Sequence, residues 1–336
     1  MAVSASALTL GQYAIMSNDP LVQQISYSLL ENAKVLADIP LVTKKSIYVN
    51  GVRWVGNLPS VNWSKLNVDP TVTSGTPSPY QEQAYVIRNA IDVDRLLVEE
   101  ENQIQDPRGA QLDAYLRAVA YDTNDKFINN DPISGEDDAF VGLRYRLDNQ
   151  TAYGVNSDMK IDGGAVDMTV SGMTAATANT FIELVQTVLD YMGVPDGTGV
   201  TLYMNDVLKR RFERAIRVLG AGAGFSMVKD AFDRPVEMYK NARIRDIGRT
   251  AGQTTRIILN TETSAGAAGS STYTSLYAVR FGEGYFSGWQ FDALKGQDIG
   301  LIGNGGVTYR TLVDWAFGIV QQNTRAIARV YGIKVA

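Results

Sequence analysis

Two runs rich in β-branched and aromatic residues, Ser46–Val55 and Gln81–Val93, flank a stretch that resists regular structure. Residues 56–80 gather Gly56, Pro59, Pro70, Gly75, Pro77 and Pro79 among Asn, Ser and Thr, which is loop chemistry. The flanks are the residue types that strands prefer. The simplest joint reading is a two-stranded excursion with a loose tip over residues 43–95. An arm of about 15 residues at roughly 3.3 Å each reaches about 50 Å. A compact chain of this length has a radius of gyration of only about 20 Å. Such an excursion does not fold back comfortably inside one globule, and an isolated hairpin is marginal in water. It requires a neighbour.

Around it the chain reads as mixed α and β. Residues 1–40 look like an arm and a helix: Ser17-Asn-Asp-Pro20 supplies capping side chains, Leu21 to Leu36 has helical spacing, and Pro40 closes it. The strongest helix signal covers Asp106–Asn130. Asp106 caps, Pro107 sits in the first turn, and Leu112, Leu116, Val119, Thr123 and Phe127 form a stripe. Asp113 with Arg117, and Asp122 with Lys126, stand at i,i+4 in the favourable order. Further helices are predicted at Ala175–Met192 and Asn205–Leu219. Strands are predicted at Val200–Met204, Ala242–Ile247, Arg256–Asn260, Tyr273–Arg280, Tyr309–Ile319 and Ala326–Tyr331. Gly220–Gly224 and Ser264–Thr272 read as flexible loops.

Composition removes most catalytic chemistry. The 336 residues include no histidine and no cysteine. No Ser-His-Asp or Cys-His relay, thiolate nucleophile, disulfide or ordinary zinc site can form. A carboxylate site for magnesium or calcium stays open. With 31 Lys+Arg against 36 Asp+Glu the net charge is −5, which argues against a free-standing DNA binder. No apolar stretch is long enough to span a membrane. The first basic residue is Lys34, so the amino terminus lacks the positive flank of a signal peptide and a cytoplasmic start is favoured.

Each motif has a plain alternative beside its functional reading. The Gly-rich loop 220–224 follows a helix, where a dinucleotide fingerprint needs a preceding strand, so a connector is the better reading. Glu99-Glu-Glu101 and Glu136-Asp-Asp138 could hold a divalent ion or an acid–base pair, but acidic clusters beside helix starts usually serve the helix dipole. The basic stripe Lys209, Arg210, Arg211, Arg214 and Arg217 could meet phosphates or acidic groups on another subunit; charged helix faces are commonly just solvated. Trp54 and Trp63 flank the loose tip, and anchoring against a neighbouring subunit is their most natural use.

At Phe127-Ile-Asn-Asn-Asp-Pro132, followed by Phe140-Val-Gly-Leu143, the sequence resembles the major capsid proteins of tailed bacteriophages with the Hong Kong 97 fold. In that family a long spine helix ends in such a phrase. Ile91-Asp-Val-Asp-Arg95 looks like the return of the family's extended loop, and Trp315–Ile319 with Arg325–Ile333 looks like its carboxy-terminal strands. The resemblance implies an α+β capsid fold. It divides into an amino-terminal arm and helix (1–42), an extended β-hairpin loop (43–95), a peripheral domain with the spine helix (96–149), an axial domain (150–300), and carboxy-terminal strands (301–336) completing the peripheral domain.

The implied role is structural, not enzymatic: pentamers and hexamers that close an icosahedral phage head around packaged double-stranded DNA. Implied partners are further copies of the chain, a scaffolding protein, a portal, a decoration protein and non-specific contact with DNA. No cofactor and no membrane are implied, and the expected location is the virion, with the host cytoplasm during assembly. The start close to the arm points to a separate scaffold or a removed prosegment. The residues expected at assembly interfaces are Lys44, Arg53, Trp54, Trp63, Lys65, Arg108 and Arg117, with the 209–217 stripe as a charged interface on the axial helix. An encapsulin-like compartment housing a cargo enzyme is the alternative role on the same fold. A carboxylate-dependent hydrolase or transferase is the alternative in another class.

Overall fold

The computed structural model describes residues 33–53, 59–75, 77–100, 106–132, 138–220, 225–229, 235–252, 254–266, 269, 272–292, 294–302 and 306–335. Helix α1 (Lys34–Asp38) leads into β1 (Leu41–Thr43), followed by β2 (Tyr48–Arg53), β3 (Ser78–Gln83) and β4 (Tyr85–Asp94). Next come α2 (Arg95–Glu99), α3 (Pro107–Asn129), α4 (Leu143–Asp148), α5 (Gln150–Tyr153) and β5 (Lys160–Asp162). A helix–strand–helix segment follows: α6 (Ala175–Tyr191), β6 (Val200–Met204) and α7 (Asp206–Leu219). The remaining strands are β7 (Phe225–Lys229), β8 (Pro235–Tyr239), β9 (Ala242–Asp246), β10 (Tyr273–Arg280), β11 (Phe286–Gln290), β12 (Lys295–Ile302), β13 (Thr308–Gln321) and β14 (Ile327–Lys334).

The spine helix α3 forms where its local signals lie. The Asp106 carboxylate accepts from the backbone N–H groups of Arg108 and Gly109, and Pro107 occupies the first turn. Leu112, Leu116, Val119, Thr123 and Phe127 are buried as their spacing requires. Arg117 pairs with Asp113 at 2.7 Å and Lys126 with Asp122 at 4.0 Å. At its end Asn130 is buried and donates to the carbonyls of Ala139 and Phe140, while Gly142 N–H donates to the Asn130 carbonyl at 3.0 Å. A Cβ at Gly142 would lie 2.6 Å from Asn130 N and 2.9 Å from two spine carbonyls. Asn130 thus closes on Ala139, Phe140 and Gly142, a contact that needs a short amide and a glycine.

Two sheets meet at this end of the spine. In the first, β13 carries β4 along one edge and β12 and β11 in succession along the other, with β1 parallel beyond β11. The second runs β5-β14-β10-β6-β9-β8-β7, with β6 buried at every position and the helices α6 and α7 joined by the edge-on rings of Phe181 and Phe212. Phe127 touches Tyr203 of the second sheet and Phe286 of the first, both edge-on. One continuous core results. Within it the fully buried Arg329 reaches Asp148, Glu262, Ser275 and the Gly266 carbonyl, so the internal charge is paired.

Several expectations are corrected. The return run Gln81–Val93 is not one hairpin strand: it breaks at Ala84, and β4 pairs with β13 over ten registered positions from Tyr85 to Asp94. The projecting part of 43–95 therefore ends at Gln83. The strands expected to complete one domain over 301–336 divide between the sheets, β13 in the first and β14 in the second. Likewise β11 and β12, expected in the axial domain, belong to the first sheet. Arg256–Asn260 is no strand; only an isolated bridge joins Arg249 to Arg256. The arm 1–32, the loop residues 221–224, and Glu101, Glu136 and Asp137 lie outside the described residues. Gly266, in the expected flexible loop, is fixed as an acceptor for Arg144 and Arg329.

Candidate assembly surface

The hairpin β2–β3 is seated at its root and bare at its tip. Pairing runs from Tyr48–Gln83 to Arg53–Ser78. Its inner face turns Val49 and Tyr80 onto a small cluster of Ala84, Trp289 and Val320. Gly51 is bare because the Tyr80 ring crosses it; a Cβ there would collide with the ring. The Arg53 guanidinium lies 4.2 Å from the centroid of that ring.

A buried ionic latch holds this root. Arg146 of α4, with no exposed side-chain surface, places its two terminal nitrogens 2.6 and 2.9 Å from the carboxylate oxygens of Glu82 on β3. Its Nε donates to the Val141 carbonyl at 3.0 Å. Arg53 donates to Glu82 at 3.3 Å and to the Tyr153 carbonyl. Burial lowers the Arg53 pKa from its ordinary value, and the Glu82 charge opposes that shift. Two guanidinium groups on one carboxylate fix the angle at which the hairpin leaves the body.

Beyond the paired strands the chain is exposed throughout residues 59–74. It reverses at Leu66–Asn67, where Asn67 adopts a left-handed φ of 63°. Thr73 donates to the Ser60 carbonyl across the two arms. Trp63 is 97% exposed, Leu66 and Val72 are each 94% and Val61 is 82%. A row of large apolar side chains at these exposures is costly for a subunit alone in water.

The other residues singled out in the sequence take varied places. Lys44 and Lys65 are exposed, and Trp54 lies outside the described residues. Arg53 belongs to the buried latch. Arg108 binds within its own chain, to Asp298 at 2.6 Å and Thr311 at 3.2 Å, anchoring the spine start to the first sheet. Arg117 is bound to Asp113 on its own helix.

The basic stripe on α7 is partly neutralised: Lys209 pairs with Glu237 at 3.4 Å, Arg210 with Asp206 at 3.3 Å and Arg217 with Glu213 at 3.6 Å. Arg211 and Arg214 are half-buried, and Arg210 and Arg217 are exposed. Asp206 also takes Arg256 and, at 3.9 Å, Arg249. The latch escaped sequence reading because its partners lie 64 positions apart with no local signal joining them. Among the described residues no three His, Cys, Asp or Glu side chains converge as a metal site would need, and no helix is long and apolar enough to cross a membrane.

No family model and no curated protein matches the chain at the level of sequence. Solved structures do match it. The encapsulin of a holo-SrpI complex from Synechococcus elongatus PCC 7942 aligns over 96% of this chain and 94% of its own, with a TM-score of 0.55 and 12% identity. The capsid of an empty GTA particle aligns over 90% of each chain, with a TM-score of 0.56 and 11% identity. The capsid of Myoviridae phage XM1 aligns over 90% of this chain and 92% of its own, at 0.54 and 10%. The chain has the Hong Kong 97-type capsid fold. In the terms of that fold, β2–β3 with residues 59–75 is the extended loop and α3 the spine. At such identities the likeness is one of fold.

Proposed function

We propose that this protein is the major capsid protein of a tailed bacteriophage. Copies associate into pentamers and hexamers that close an icosahedral shell around packaged double-stranded DNA, with a scaffolding protein, a portal and a decoration protein as partners. The observation that carries the reading is the extended loop: pinned at Glu82 and bare at Trp63, Leu66 and Val72, it reaches stability by lying on the next subunit. Obligate interfaces commonly bury about 2,000–5,000 Å², enough to order such a segment. Head-to-tail contacts of this kind close into rings when the rotation permits. Net acidity leaves the inner wall weakly attractive to DNA, so the genome stays mobile.

The encapsulin likeness supports a second reading on the same fold, a compartment around a cargo protein. Particles isolated from the native source distinguish the two. Nuclease-protected DNA inside a particle of megadalton mass by light scattering is the expected result. A protein cargo without DNA selects the compartment. A mass that stays at one subunit, with scaffold supplied, refutes both.

A further inference from the structure

A cleft of about 140 Å³ opens between the start of β4 and the carboxy-terminal half of α3. Tyr85, Ile87 and Phe140 wall it, and Asp122, Lys126 and Asp138 stand around it. Asp122 and Asp138 are exposed and Lys126 lies 4.0 Å from Asp122, so the rim carries a negative surplus. Polar and apolar groups line the cleft alike, and its volume is close to the about 150 Å³ at which a buried apolar cavity takes up a benzene ring, so it admits the edge of an aromatic ring.

The same chain presents a matching group. Trp63 is 97% exposed, and the cation Lys65 follows two positions on. Its own hairpin cannot deliver it. The cleft begins at Tyr85, at the root of the excursion, and the six paired residues of β3 already carry the tip about 20 Å away from that root.

We propose that this cleft is a socket for Trp63 of a second copy of the chain, with Lys65 resting on the Asp122–Asp138 rim. The proposal rests on the shell reading and adds to it where the loop ends and which charges set its register. Shape supplies the aromatic seat, and opposite charge selects the direction of approach.

The absence of cysteine from the chain makes a clean test. Full-length Lys65→Cys and Asp138→Cys chains are mixed under assembly conditions and treated with a short bis-maleimide. The control pairs Lys65→Cys with Glu183→Cys, an exposed position on α6. Covalent dimers at ten or more times the control yield are expected, falling toward the control when Trp63→Ala is added to the Lys65→Cys chain. Shells that form with a dimer yield equal to the control overturn the socket and leave the shell reading standing. Unmodified chains that form neither shells nor oligomers overturn both. Charge exchange gives a second readout: Lys65→Glu should lower assembly yield severalfold and Asp138→Lys in the same chain should restore it. Failure of that rescue, with shells otherwise intact, also counts against the socket.

Discussion

Arg146 and Glu82 form a two-pronged pair, with guanidinium nitrogens 2.6 and 2.9 Å from the two carboxylate oxygens, between a helix of the body and a strand of the projecting hairpin. The contact adds a directional tie to a hairpin root already seated through Val49 and Tyr80. If the tip lies on a neighbour, as proposed, a direction set beforehand removes part of the entropy lost on association.

Glu82→Ala leaves the guanidinium of Arg146 buried without its carboxylate, a change that costs about 3–5 kcal/mol in comparable buried pairs. Denaturant unfolding of the isolated subunit should show the loss. The double substitution Glu82→Ala with Arg146→Ala should cost clearly less than the sum of the singles. Strict additivity would mean that the pair does not act as a latch.

Leu66→Ser and Val72→Ser should separate folding from assembly. Both side chains are 94% exposed in the subunit, so its stability should move by less than about 0.5 kcal/mol. The protein concentration needed to form particles should rise severalfold. A drop in subunit melting temperature with assembly unchanged would reverse the roles assigned to them.

Gly142→Ala drives a methyl group against the Asn130 amide and two spine carbonyls. Backbone cannot yield as a flexible side chain does, so a loss of about 1–3 kcal/mol is expected by analogy with overpacked cores. Thermal unfolding measures it. A neutral result would show that the turn after the spine has slack.

What could be read in the sequence follows from the range over which each signal acts. Helix α3 was legible because Asp106, Pro107 and the stripe from Leu112 to Phe127 all act within a few turns. The excursion was legible from composition, because Pro and Gly exclude regular structure locally. Its inner limit was not. The residues from Tyr80 to Asp94 look uniformly strand-like, and only pairing with β13, more than two hundred positions away, separates the part that projects from the part that belongs to the body. Strands β11 and β12 were missed for a related reason: Gly288 and Gly296 weaken the local preference, and β13 supplies the pairing. The α7 stripe was visible as charge, but Glu237, which pairs with Lys209, lies on β8, which only the fold brings near.

Asp206 predicts a pH dependence. Hydrogen bonding from Arg256, reinforced by the charges of Arg256, Arg210 and Arg249, holds its carboxyl below the ordinary carboxylate range against the opposing effect of burial. A carboxyl whose pKa is lower folded than unfolded stabilises above its unfolded pKa, about 3.9. That contribution fades as pH falls through the lower folded value. Asp206→Asn should therefore be less stable than the parent at pH 7, with the gap closing below about pH 4. A gap that stays constant down to pH 2 would mean that the ionised form carries no advantage.

On the function proposed above, this polypeptide finishes its folding on another copy of itself. A cryo-electron microscopy reconstruction of the particles formed by the full chain tests it most directly. Five- and six-fold rings in a closed shell, with residues 59–75 of each subunit covered by its neighbour, are the expected result. Single compact subunits, or a shell in which those residues rest on their own body, would contradict it.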